Sequence, residues 1–166
     1  NNAFASLHTT MPLLVKILKD TTIECVSFPD DGAAKRFGDF FDGLGFEIVT
    51  CGKTRDGDKR KVIIQDGNPS GKHVIIVDDL VQTGGTLYEC GVALKKAGAI
   101  SASAYVAHGV FPHDAWKRFL RNGDRNCFEK FYISNSIPSL APKLPKHDVF
   151  HLLDISQKII EDLDNF

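Results

Sequence analysis

Cysteine is sparse in this 166-residue sequence, and no cysteine pair stands at motif spacing. Cys25, Cys51, Cys90 and Cys127 lie 26, 39 and 37 residues apart, with no C-x-x-C. A domain of this size needs no disulfides, so the four read as reduced, mostly buried thiols of a cytoplasmic protein. Long apolar runs are also missing: none approaches the ~20 residues of a membrane span, and no membrane partner is expected. Neither sign of charge is in excess, with 20 Lys+Arg against 21 Asp+Glu and a formal net charge of −1. That balance argues against a general nucleic-acid binder, while leaving local basic patches open. Internal repeats, low-complexity tracts and long linkers are absent, and the proline-rich stretch from Ser134 to Lys146 reads as a loop inside one domain covering residues 1–166. The chain starts at Asn1 rather than at a methionine and has no signal-peptide pattern, so a fragment or a processed product is expected. Two common phosphate signatures are lacking as well: there is no G-x-x-x-x-G-K-[ST] and no G-x-G-x-x-G.

What is present is an ordinary globular mixture, 43% hydrophobic and 25% charged, long enough to bury roughly 70% of its unfolded surface as one domain. Leu14, Ile17 and Leu18 after Pro12 predict a first helix, and Thr22 to Phe28 a strand. Ala34, Phe37, Phe40, Phe41 and Leu44 repeat at helical spacing, with Gly43 and Gly45 at the exit. Phe46 to Thr50 reads as a strand, Lys53 to Lys61 as a charged loop, and Val62 to Gln65 as a short strand. Val74 to Val77 is a β-branched run without polar alternation, as expected of a strand buried on both faces. A helix follows Thr86, which with Glu89 fits a capping box, and it ends at Lys95 and Lys96 before Gly98. Later come a strand from Ile100 to Ala107, a short helix at Trp116 to Leu120, strands at Phe128 to Ser134 and Val149 to Leu153, and a helix from Ser156. Strands alternating with helices predict an α/β fold with a mainly parallel sheet flanked by helices. Ligands of such sheets bind beyond the carboxyl ends of the strands, where Pro29 to Gly32 and Asp78 to Thr86 both fall.

The chemistry concentrates in those two loops. In Thr83-Gly84-Gly85-Thr86 the glycines let backbone N–H groups turn inward, the hydroxyls add donors, and the following helix presents its positive end, which together make a phosphate cradle. A plain strand–helix turn capped by Thr86 is the simpler alternative. Asp78 and Asp79, directly after the strand, add acceptors for sugar hydroxyls or ligands for a divalent cation, and the combination points to a phosphorylated sugar. Lys53 and Arg55, two apart on an extended segment, can both reach one polyphosphate, although from spacing alone a solvated hairpin tip is the simpler reading. Asp30-Asp31 alone is a turn-forming pair. His147 and His151 have no obvious third metal ligand, His108 and His113 read as loop histidines, and Trp116 with Phe119 and Leu120 reads as core packing.

At this point the residues carry a resemblance. The run from Val74 to Thr86 resembles the phosphoribosyl-binding motif of type I phosphoribosyltransferases and ribose-phosphate diphosphokinases. Phe28 to Arg36 is similar to the diphosphokinase pyrophosphate loop, and Lys53-Thr54-Arg55 to the Lys-x-Arg of its catalytic loop. His108 to Pro112 and Ser134 to Pro138 resemble later segments, so the likeness runs from about Pro12 to the end and is nearest the divergent plant-type diphosphokinases. Gln82 departs from the usual pattern, which has an acidic residue there.

The resemblance implies a type I phosphoribosyltransferase fold and a site for ribose 5-phosphate, ATP and phosphoribosyl pyrophosphate. Asp78 and Asp79 would orient the ribose, Thr83, Gly84, Gly85 and Thr86 the 5-phosphate, Asp30 a Mg²⁺ ion, and Lys53 with Arg55 the transferred diphosphate. It also implies that this is the second of two similar halves, lacking most of the adenine pocket, and that it works as a homo-oligomer or with full-length subunits. His8 does not match the metal-binding histidine of the other half. Two other classes stay open: a phosphoribosyltransferase that joins a base to phosphoribosyl pyrophosphate, and a non-catalytic associated subunit, for which Gln82 and the absent half speak.

Overall fold

The computed structural model describes residues 8–56 and 59–164, and the side chains of residues 55–60 lie outside the description. The β-branched run at Val74 to Val77 sits in the central strand β4 (His73–Val81), whose first residues are buried on both faces. Its side chains alternate between two cores. Val74 and Ile76 face one, Ile75 and Val77 the other. Around it lie β1 (Cys25–Phe28), β2 (Glu47–Asp56), β3 (Lys59–Asp66), β5 (Ser101–Gly109), β6 (Phe131–Ser134) and β7 (Phe150–Leu153). The sheet order is β3-β2-β1-β4-β5-β6-β7, parallel throughout except for the antiparallel β2–β3 pair. The expected α/β architecture is therefore present.

Helices cover both faces. On one side α1 (Met11–Leu18), with proline in its first turn, buries Met11, Leu14 and Leu18 beside Phe28 and Phe41. The short α2 (Asp31–Phe37) shares that side. On the other, α3 (Gly85–Lys96) buries Leu87, Cys90 and Leu94 next to a cluster of aromatic rings. Phe131 is the hub of that cluster, with ring centroids 5.2 to 5.9 Å from Phe150, Phe119, Phe128 and Phe111. A last helix, α4 (Ser156–Asp164), follows β7.

Four local expectations change. The segment expected as a charged loop from Lys53 to Lys61 is instead mostly strand: β2 runs on to Asp56 and pairs with β3 from Lys59, with Lys53 opposite Val62 and Arg55 opposite Arg60. Charged side chains are no obstacle there, because an edge hairpin leaves one side open to water. The helix expected to reach Leu44 stops at Phe37 and gives way to a 3₁₀ turn at Gly38–Phe40, after which Gly43 and Gly45 take positive φ. The short helix near Trp116 is a 3₁₀ segment, Pro112–Phe119, kinked where His113 and Asp114 adopt φ of 54° and 56°. The strand expected from Phe128 begins only at Phe131, because Cys127 and Phe128 pack against Gly91 of α3 instead of joining the ladder.

Truncating the aromatic hub tests this core. Phe131→Ala should cost about 3–5 kcal/mol, read as a lower denaturant midpoint at unchanged slope. A loss below about 1 kcal/mol would mean that the ring cluster does not hold the sheet as described.

Candidate active site

The strand order reverses at β1: its neighbours are β2 on one side and β4 on the other, so the loops leaving β1 and β4 diverge and open a crevice between them. A cleft of about 410 Å³ lies there, lined by Asp30, Lys53, Asp78, the run from Leu80 to Leu87, and Glu89. Residues from the loop after β1, from β2 and from the end of β4 thus converge on one space.

Asp30 takes extended backbone angles and caps α2, its Oδ1 accepting a hydrogen bond from the Ala33 N–H at 3.0 Å. The second carboxylate oxygen has no partner among the described residues. One turn into α2, Arg36 reaches across to the end of β4, its Nη2 3.2 Å from Asp79 Oδ2 and 4.0 Å from Asp78 Oδ1.

Strand β4 continues past Val77 as far as Val81, with Asp78 paired to Val106 and Leu80 to His108. Its alternation starts the two acids toward different sides, although both carboxylates remain near the same Arg36 guanidinium. Asp78 lines the cleft, whereas Asp79 does not and is held by Arg36. Burial pushes the Asp78 carboxyl up to about 6; the charges of Asp79 and Asp30 add to the rise, and a hydrogen bond from the Asp79 N–H, at 2.9 Å, opposes it.

The cradle is built on Gly84, which precedes α3 with a φ of 70°. A Cβ there would stand 2.4 Å from the Phe119 ring, so both the backbone angle and the packing require glycine. The helix starts at Gly85, two residues earlier than the sequence pattern implied. Thr86 is therefore inside the first turn and forms no cap, so the expected capping box with Glu89 is not made. The N–H groups of Gly85, Thr86 and Leu87 have no acceptor among the described residues, as an anion site requires.

Lys53 is exposed on β2 and lines the cleft, while the side chain of Arg55, two positions on, lies outside the described residues. Two contributors were not anticipated. Glu89 reaches the cleft one turn into α3. Arg125 donates from Nη1 to the Thr83 carbonyl at 2.9 Å. The helical offset from Thr86 gave a faint signal for the first; the second lies 42 residues away, with no local pattern to announce it.

Oxygen donors of the kind Mg²⁺ prefers face the cleft in Asp30 and Asp78, and the described residues contain no group of three His, Cys, Asp or Glu suited to a metal. Mg²⁺ held through one or two carboxylates plus substrate phosphates fits this donor set.

The folded pKa of Asp78 lies above its ordinary value of 3.8, so the folded chain binds that proton more tightly than the unfolded one. The associated stability is complete below about pH 4 and is lost as pH rises through about 6. Under metal chelation, Asp78→Asn should therefore flatten this part of the stability profile and exceed the parent by about 2 kcal/mol at pH 7. Parallel curves for the two proteins between pH 4 and 7 would contradict the partly buried position of Asp78.

Residues 29–136 match the phosphoribosyl transferase domain. The chain is 45% identical to ribose-phosphate pyrophosphokinase 4 of Arabidopsis thaliana over 161 residues, which is 94% of this chain and 47% of that protein. It is 39% identical to ribose-phosphate pyrophosphokinase 3, mitochondrial, of Spinacia oleracea, covering 96% of this chain and 40% of that one. Among solved structures, phosphoribosylpyrophosphate synthetase from Mycobacterium smegmatis superposes with a TM-score of 0.74 at 24% identity, over 93% of this chain and 49% of that one, a likeness of fold. The chain spans about half the length of the curated relatives it matches. The cleft, its glycine-turned cradle and the acids of β4 all fall within the matched residues, and the chain belongs to the phosphoribosyl transferase domain family.

Proposed function

We propose that this chain is the ribose 5-phosphate half of a ribose-phosphate diphosphokinase, taking part in Mg²⁺-dependent transfer of diphosphate from ATP to the sugar's 1-hydroxyl, with phosphoribosyl pyrophosphate and AMP as products. The observation that carries it is the convergence of Asp30, Lys53, Asp78 and the Thr83–Thr86 turn on one cleft, in a chain 45% identical to a ribose-phosphate pyrophosphokinase. The rest of the reading is that the chain is the second of two similar halves, acts as a homo-oligomer or with full-length subunits, and turns over poorly alone.

In this reading the sugar's 5-phosphate sits on the open N–H groups of Gly85, Thr86 and Leu87, with the Thr83 and Thr86 hydroxyls as further donors and the positive end of α3 behind them. Asp78 orients a ribose hydroxyl, and around neutral pH it is ionised and acts as an acceptor. Asp79 stands just outside, balanced by Arg36, and would approach the ribose only after exchanging that partner. Lys53 offsets charge on the transferred diphosphate, and Arg55 is assigned to the same task. Asp30 and Asp78 would hold Mg²⁺, which when bound neutralises phosphate charge.

No described helix is long and apolar enough to cross a membrane, and neither a membrane nor a nucleic acid is part of the proposal. All four cysteines are free thiols, which suits a reducing compartment, and we place the protein in the cytoplasm. The spinach relative is nevertheless named as mitochondrial. Gln82 lines the cleft where an acidic residue was expected from the family pattern, and this keeps the associated-subunit alternative in view.

The test is AMP release from ATP and ribose 5-phosphate, assayed on the chain with and without a full-length relative. Lys53→Ala should lower the chain-dependent rate by about 10²-fold or more while leaving ribose 5-phosphate affinity within about twofold. An unchanged rate would favour the associated subunit, and nucleotide formation from phosphoribosyl pyrophosphate plus a base would favour a phosphoribosyltransferase.

A further inference from the structure

The turn that forms the cradle is braced from one distant segment at two points. Phe119 packs beneath Gly84, where a Cβ would stand 2.4 Å from its ring. Six residues later Arg125 donates to the Thr83 carbonyl at 2.9 Å. Its guanidinium also lies over the Tyr88 ring, 5.6 Å from the centroid, and 3.8 Å from where a Cβ of Gly85 would be. The segment between is itself fixed: the Arg125 N–H donates to the Arg118 carbonyl at 2.8 Å, and Arg118 holds Asp124 in a two-point ion pair. Arg125 is thus presented by a closed loop rather than by a free tether.

A trans peptide is planar, with its C=O and N–H pointing in opposite directions. Fixing the Thr83 carbonyl on Arg125 therefore turns the Gly84 N–H away from Arg125. The competing arrangement, with this peptide flipped, is open to a turn containing glycine, because glycine tolerates both signs of φ. A flip would put the Thr83 carbonyl on the side that the Gly84 N–H now takes; both residues line the cleft, and a carbonyl turned into it would repel an anion. Arg125 adds a fixed positive charge beside the first residue of α3, in the same sense as the helix dipole. The side chain is only half-buried, so water can replace it at the carbonyl and the fold does not depend on it.

From these contacts, and resting on the phosphate-cradle reading above, we propose that Arg125 is a positioning residue for the phosphate-binding turn, holding the Thr83–Gly84 peptide in its anion-accepting orientation. The ligand it serves is the phosphomonoester of the substrate, and inorganic phosphate should report the same effect.

The experiment titrates the isotope-labelled 166-residue chain with inorganic phosphate and, separately, with ribose 5-phosphate at fixed ionic strength, following the amide signals of Gly84, Gly85 and Thr86. Arg125→Met should weaken both ligands by about tenfold and shift the Gly84 amide even without ligand, at an essentially unchanged melting temperature. Arg125→Lys, which keeps the charge and one donor, should fall between. Arg121→Met, an exposed change of equal charge, should bind as the parent does. Parent-like affinity in Arg125→Met would overturn the proposal, and so would its unfolding, since the residue would then build the fold rather than position the turn. Parent protein that binds neither ligand would overturn the cradle reading itself and this inference with it, an outcome visible before any variant is made.

Discussion

Strand β1 sits between β2 and β4, and the site depends on that placement. The chain moves outward from β1 through β2 to β3, then returns to pair β4 with the other side of β1, Val74 beside Cys25 and Ile75 beside Val26. Loops leaving adjacent parallel strands normally fold over the same face of a sheet and fill the space above it. At this one position they must part, because the helices that follow lie on opposite faces. The crevice is a consequence of topology, held by the β1–β4 ladder and by buried side chains on both of its faces. Asp30 and Asp78 meet there because each comes just after the continuous buried run of a strand in that pair, Cys25 to Phe28 in β1 and Val74 to Val77 in β4.

The same constraint explains why the cradle needs outside support. A loop at a topological crevice has no neighbour on the open side, so its backbone is held only from beneath. The aromatic cluster supplies that support through Phe119, whose own position depends on Phe128, stacked 5.8 Å away, and on Phe131. The price is strain in the segment that delivers it. Phe111, His113 and Asp114 all have positive φ, a conformation unfavourable for residues with a Cβ. Burying Phe111 among Phe119, Phe131 and Phe150 offsets it, and the ion pairs of Asp114 with Lys117 and Lys143 lie on the exposed side.

Much of this was legible from residue order. The buried character of Val74 to Val77, the glycine turn after it and the acidic positions at strand ends are all local, and local patterns survive into the fold. The convergence of Asp30, Lys53 and Asp78 could also be anticipated, since parallel strands place their carboxyl ends together. What stayed hidden was set by contacts across the chain. The β2–β3 hairpin was masked by its charges, although Val62, Ile63 and Ile64 carry the pairing. The start of α3 lies two residues earlier than its pattern implies because Gly84, and not Thr86, caps it. Arg125 touches the site from 42 residues away, and no spacing rule connects the two.

The separation of Asp78 from Asp79 is the least obvious outcome, and it changes what an adjacent acidic pair means. Read as a string, two neighbouring carboxylates suggest two equivalent ligands on one substrate. In a strand successive side chains set out to opposite sides, although here one Arg36 guanidinium still comes near both carboxylates. One is therefore partly buried in the cleft, with its pKa pushed up by burial and by the charges near it, and a cation or hydrogen-bond donor bound there would offset the desolvation. The other is half-exposed and already neutralised by Arg36, which belongs to the loop–helix unit that carries Asp30. The pair thus ties the two sides of the crevice together through Arg36, while leaving a single carboxylate of β4 to face the ligand. Any ligand that drew Asp79 inward would have to break that tie, and would thereby couple its own binding to the position of the Asp30 loop.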